Sequence, residues 1–507
     1  MTRFTARWLL LIFPSLLATP AWTQTTMAPV KATTARKAAS SSGVAPISHQ
    51  QLFGSLPLAT RSEDARKLVE TAIDQYENVL LDSSANSAGQ AAEKDPHFAL
   101  AYAVWSFAAR RTQPSPDLLQ RAKTLASHAT PDERLLVNWM LDVQQGSMLP
   151  AIRAMNDLIG RFPNDKHILY LTAEWLYFQQ DYERSKKIME KTLQLDPDFA
   201  PALNMLGYTS IETGTPDAGK AIAYLKRYAA VRPNEPNPED SLGEVLRYTG
   251  DDRGSLEHYA AALRIDPKFI TSQIGLGDTS ALTGDFARAR TEYDKALPIV
   301  TTSRDRLHAQ FQRTLVYFWE GQPEQGRKAL DIVFEQERRQ KEPYAFYEVG
   351  LGRALLTPEP ASQVQQLRAL EASLLRPING MTESDRNGAL ASVLCAHART
   401  AALSGHPEAA QEPIAMLERL AKQSRDLIVE DAYEAARGFQ LFAKGDFANA
   451  ADQLAGDPHS PLAVRQLALA HERVGNNAGA ESALTRLKYL RAPTVEWYLV
   501  TRSAAGH

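Results

Sequence analysis

The sequence predicts an all-α chain that folds as a solenoid of stacked helical hairpins. Three observations carry this. Apolar residues fall at three- and four-residue steps from Ser62 onward, as in Ala65 to Leu81 and Tyr182 to Leu195; no long alternating strand pattern occurs; and the same residue types return about every 34 positions. Leu242 and Gly243 return as Leu276 and Gly277, Gly250 as Gly284, Tyr259 as Tyr293, and Ala262 as Ala296. Pro163 and Pro197 share the spacing, as do Pro233 and Pro267.

In chain order, the first 21 residues read as an export signal. Arg3 and Arg7 precede an apolar run from Trp8 to Leu17, and small residues lead to Ala21. That run is too short to span a bilayer, which needs roughly 20 residues. No stable membrane span is expected after its removal, and the mature protein is expected in the periplasm or outside the cell. Residues 22–60 are rich in Thr, Ala, Ser and Pro and read as a disordered linker. A solenoid is expected over 61–335, a degenerate helical connection over 336–384, and further, weaker hairpins over 385–500. The connection is placed where the repeat is hard to follow, between a charged run at Glu337 to Glu342 and the turn-like Arg376 to Gly380.

Each recurring type has a physical reason. In Leu206–Gly207, Leu242–Gly243 and Leu276–Gly277 a core residue precedes one with no side chain, which lets a neighbouring helix approach closely. Gly214, Gly250 and Gly284 are placed to end first helices in the left-handed conformation. Ala221, Ser255 and Ala289 put small residues at the hairpin crossing, with Leu225, Tyr259 and Tyr293 filling the interior one turn later, and a proline such as Pro267 closes the second helix.

On these residues the chain resembles the tetratricopeptide repeat family, whose motif orders an apolar-Gly pair, a small residue, an aromatic and a late proline in this way. The copies are divergent: Leu203, Glu239 and Gln273 stand at the family's tryptophan position, and Thr301 replaces a late proline. The resemblance implies a right-handed solenoid whose first helices line a concave binding face. Carried over residue by residue, that face would offer Tyr170, Glu174, Tyr177, Asn204, Tyr208, Asp240, Glu244, Arg247, Asp278, Phe311 and Phe318. Aromatics among carboxylates suit an extended peptide with apolar anchors, so a protein or peptide partner is expected. Glu174 and Glu244 argue against the family's chaperone-type clamp, which holds a C-terminal carboxylate with basic residues.

Chemistry is sparse by comparison. With 56 Lys and Arg against 59 Asp and Glu, the chain lacks the positive excess of a nucleic-acid binder. Cys395 is the one cysteine and lies among small apolar residues, His471–Glu472 lacks the second histidine of a zinc helix, and Gly275–Leu276–Gly277 follows no strand. No catalytic, cofactor or metal set is expected. The rival reading is a secreted glycoside-processing enzyme using carboxylates among Glu174, Asp240, Glu244 and Asp278, for which separations of about 5–9.5 Å are required. An envelope assembly or secretion factor shares the scaffold reading and differs only in partner.

Overall fold

The computed structural model describes residues 50–110, 115–300, 302–340 and 343–505. The expected signal and most of the linker lie outside the described residues. The end of the linker is corrected: Gln51–Leu52 and Leu56–Pro57 form a short antiparallel ladder, with Leu52 opposite Leu56. Leu52, Leu56 and Leu58 are buried in one cluster with Ala65, Val69 and Leu136. Thr130 Oγ1 donates to the Pro57 carbonyl at 2.6 Å, and the Ala59 N–H donates to Glu133 at 2.7 Å. Three leucines with a wall to bury against order the segment despite its polar neighbours.

From Glu63 the chain is a series of antiparallel hairpins. First helices Lys166–Phe178, Ala200–Glu212, Pro236–Thr249 and Ile270–Leu282 alternate with second helices Tyr182–Leu195, Ala218–Val231, Asp252–Ile265 and Phe286–Ala296. Each of these second helices starts on an aspartate whose carboxylate accepts a backbone N–H of the first turn: Asp181, Asp217, Asp251 and Asp285. Asp196 and Asp266 make the next corner by accepting the N–H two residues on, and Phe199 and Phe269 turn inward after it. Gly250 ends its helix with φ 86°, as expected, and Gln180 takes the same left-handed position two hairpins earlier with φ 65°. Gly214 is not in the left-handed region; two extra residues spread that reversal, and the Asp217 N–H reaches back to the Ser210 carbonyl at 2.7 Å.

The apolar-Gly pairs do what their sequence implies. A Cβ on Gly277 would sit 2.6 Å from the Tyr293 ring, one on Gly243 2.9 Å from Tyr259, and one on Gly207 2.5 Å from Leu225. Leu206, Leu242, Leu276, Tyr259, Ala262, Ala289, Tyr293 and Ala296 are all buried.

The helical connection expected over 336–384 holds further helices. Pro343–Leu355 and Pro360–Leu374 form another hairpin, and one apolar cluster runs from Ile270 through Leu351 and Leu367 to Val429. Hairpins continue as Glu383–Leu403 with Gln411–Ser424, Leu427–Ala443 with Phe447–Leu454, and Pro461–Arg473 with Asn477–Lys488, before the last helix Val495–Ala505. The spacing loosens ahead of this hairpin because Ser303–Trp319 and Pro323–Gln340 are 17 and 18 residues long, while the packing continues.

Residues about seven repeats apart then meet. The Leu427 N–H donates to Gln179, Tyr182 packs edge-on against His459, Arg486 bonds Glu212, and Arg491 bonds Asp252. The earlier partners lie where first helices end and second helices begin. The later ones lie near the opposite edge, where second helices end and first helices begin. One turn of the superhelix therefore rests edge to edge on the next.

Gly277→Ala should lower the denaturation midpoint, by about 1–3 kcal/mol of overpacking against Tyr293. Gly388→Ala, whose Cβ would meet only Ile428 at 4.0 Å, should gain up to about 1 kcal/mol of helix propensity instead. Equal midpoints in urea titrations would contradict the close-approach role.

Candidate functional site

The residues expected on the concave face come together, but not as an open groove. All of them, from Tyr170 and Glu174 to Phe311 and Phe318, are only 0–6% exposed. This corrects the expectation that they are displayed to a partner. They are spent on a polar ladder that ties each first helix to the next. Tyr208 donates to Glu244 at 3.0 Å, Ser241 donates to Asn204 at 2.9 Å, and Ser272 donates to Asp240 at 2.6 Å. Arg247 bridges Glu244 at 3.3 Å and Asp278 at 2.7 Å, and Tyr293 closes on Asp278 at 2.7 Å. Tyr170 donates to the Glu77 carbonyl, Tyr177 packs edge-on against Tyr182, and Phe318 packs against Tyr498 of the last helix.

Burial of so many charges has electrostatic consequences. Arg247 is fully buried between two carboxylates, where the cost of desolvation is offset only by direct contact. Asp240 is pushed up to about 7, first by burial and then by the nearby Glu244 charge, with the Ser272 hydroxyl pulling the other way. Burial pushes His308 down to about 4, helped by Arg304 and Arg247. The ladder is therefore a packed, partly neutralised interior. Asp240, Glu244 and Asp278, candidates for carboxylate catalysis, are hydrogen-bonded into it.

The contact between turns is built from residues that sequence reasoning missed. Arg486 donates to Glu212 Oε2 at 2.9 Å, to the Ile211 carbonyl at 2.7 Å and to His459 Nδ1 at 3.1 Å. Burial would raise the Glu212 carboxyl, but His459 and Arg486 hold it below the ordinary value; burial lowers His459. Arg491 grips Asp252 and donates to the Arg247 carbonyl at 3.1 Å. No local motif marks these side chains, since their partners lie 239–275 positions away.

A second feature lies where the turns meet. Tyr76, Phe107, Trp139 and Trp175 line a cavity of about 40 Å³ that is bounded on the far side by Thr382 and Asp385. Arg110 sits over the Phe107 ring at 4.1 Å and reaches the Tyr76 hydroxyl at 3.4 Å, so the chain's own cation occupies the aromatic wall. Among the described residues no group of three or more His, Cys, Asp or Glu is placed to hold a metal, and no helix is long and apolar enough to cross a membrane.

The chain is a stack of antiparallel helical hairpins whose apolar-Gly pairs, crossing residues and corners resemble those of the tetratricopeptide repeat. No family model and no curated protein matches the sequence. Among solved structures, it is similar to a tetratricopeptide repeat protein from Parabacteroides merdae (14% identity, 56% of this chain and 98% of that one, TM-score 0.35). It is also similar to PilW, described as a widely conserved type IV pilus biogenesis factor (14% identity, 41% and 93%, TM-score 0.33). A third is YrrB, described as a TPR protein with an unusual peptide-binding site (16% identity, 36% and 91%, TM-score 0.26).

Asp240 provides a pH test of the interior. Its folded pKa of about 7 lies above the ordinary 3.8, so the folded state binds the extra proton between those values. The stability it contributes is complete below about pH 4 and is lost as pH rises through 7. Asp240→Asn removes that loss, so its stability relative to the parent should rise between pH 5 and pH 8 by the order of 2–4 kcal/mol. A difference in melting temperature that stays constant across that range would contradict the buried, protonated assignment.

Proposed function

We propose that the chain is an exported, non-enzymatic scaffold that holds partner proteins on the outside of its solenoid. The single observation behind this reading is the division of its surfaces. Inner side chains are committed to the ladder and to the contact between turns, whereas second helices carry exposed aliphatics outward: Leu149, Ile152, Leu195, Ile265 and Ile332. A long row of second helices can engage an extended or folded partner without opening the interior. Apolar side chains along it would anchor the partner, and surrounding charges would tune its approach. The partner is a protein or peptide; its identity and the choice between a general scaffold and an envelope assembly factor rest on the same surface.

Site-specific photo-crosslinking in cells tests this. A photoreactive residue at Ile265 or Ile332 should give discrete adducts to another protein in the envelope or exterior fraction, on chains whose N-terminus has been cleaved near Ala21. The same residue at Tyr208 should give none. Adducts from Tyr208 alone would return binding to the inner face, and an uncleaved chain confined to the cytoplasm would overturn export.

A further inference from the structure

The chain contains two Asn-Gly dipeptides, Asn379–Gly380 and Asn387–Gly388, and the fold places them in opposite settings. The first lies in the stretch from Arg376 to Gly380, between helices Pro360–Leu374 and Glu383–Leu403. Asn379 is exposed in a turn closed by the Met381 N–H on the Ile378 carbonyl at 3.2 Å. Gly380 follows with φ 85°, which the missing Cβ allows, and among the described residues its N–H donates no hydrogen bond. The second dipeptide lies inside Glu383–Leu403. Asn387 is only 6% exposed, and the Gly388 N–H is committed to the helical ladder. The Asn387 side chain also packs against the reversal at Gly146, where a Cβ would sit 3.3 Å from its Nδ2.

An asparagine side chain holds an electrophilic carbonyl carbon one ring closure away from the backbone nitrogen of the next residue. Attack by that nitrogen forms a five-membered imide, and the side-chain nitrogen takes the proton of the attacking N–H and leaves as ammonia. Water then adds to one imide carbonyl and breaks its bond to nitrogen. Opening at the side-chain carbonyl gives aspartate; opening at the main-chain carbonyl gives isoaspartate, whose backbone is one methylene longer. The two reacting groups are already tethered, so geometry sets the rate. The nitrogen must be free of a hydrogen bond, the backbone must be able to rotate, and glycine adds no side chain to shield the approach. Asn379 meets these requirements and Asn387 meets only the last.

We infer that Asn379 is a modification site, converted in the folded protein to aspartate and isoaspartate by its own backbone and water, and that the helix protects Asn387. The new carboxylate appears three residues before Thr382, the N-cap of Glu383–Leu403, which also bounds the cavity between turns. Arg386 donates to the Leu374 carbonyl at 2.8 Å and holds together the helices on either side of the loop, so the added methylene is taken up within the loop itself. An ageing chain thus gains a negative charge beside the junction between turns while its helices stay in place. This site is independent of the outer protein-binding surface, so either assignment can fail alone.

Peptide mapping by mass spectrometry, after the full mature chain has been incubated folded in heavy-oxygen water, tests it. The peptide carrying Asn379 should lose its amide nitrogen and take up one heavy oxygen, as a mixture of aspartate and isoaspartate. It should do so faster than the peptide carrying Asn387 by about tenfold or more, because reaction there waits for the helix to open. In guanidinium both sites should react at similar rates. Conversion of folded Asn379 should quicken from pH 6 to pH 8, since the attacking nitrogen must lose its proton. Asn379→Gln, which would have to close a larger ring, should stay unmodified with circular dichroism unchanged. The proposal is overturned if folded Asn379 reacts no faster than Asn387, or if it stays intact through an incubation that converts it in the unfolded chain. Aspartate without isoaspartate would also overturn it, because direct hydrolysis of the side chain passes through no imide.

Discussion

A buried charge must meet its partner, and in this chain Arg486 and Glu212 meet across 274 positions of sequence. Both side chains are about nine-tenths removed from solvent, with 8% and 10% left exposed. Removing one would strand the other in a low-dielectric interior, a penalty typically of several kcal/mol. The pair therefore fixes register between consecutive turns of the superhelix, much as a cross-strand pair fixes register in a sheet. Arg491 with Asp252, and Tyr182 with His459, repeat the constraint on either side.

That constraint changes what the repeat means for function. An isolated row of hairpins leaves its first helices facing a groove. Here each turn meets the next at its edges, and the first-helix residues are interior ones bonded to the neighbouring hairpin. Tyr208, Glu244, Arg247, Asp278 and Tyr293 then form a ladder whose charges balance within the molecule. The surface proposed for partners is accordingly the outer one, and the space left inside contracts to small cavities at the junction between turns and among the later hairpins.

Local rules made the fold legible. The 34-residue recurrence located the hairpins, and Gly243 and Gly277 marked where aromatic rings come closest, because those requirements act within one or two repeats. The caps Asp181, Asp217, Asp251 and Asp285 are a further recurring type with the same local cause. Two expectations failed for reasons beyond a local window. Residues 50–60 have linker composition but three leucines with a wall to bury against. The face of Tyr170, Asp240 and Arg247 is buried and not displayed, with Asp240 and Arg247 bonded to the neighbouring first helix. Periodicity carries no information about which turn packs on which, and the residues that decide it, Glu212, His459 and Arg486, belong to no recurring motif.

A double-mutant cycle on Glu212→Gln and Arg486→Met, read by equilibrium unfolding of the mature chain, addresses the contact between turns most directly. Each single change should cost about 3–5 kcal/mol, and the pair together much less than their sum, giving a coupling energy well above 0.5 kcal/mol. Additive effects within about 0.3–0.5 kcal/mol would mean that the two residues do not meet in solution, and the closed stack of turns would be contradicted.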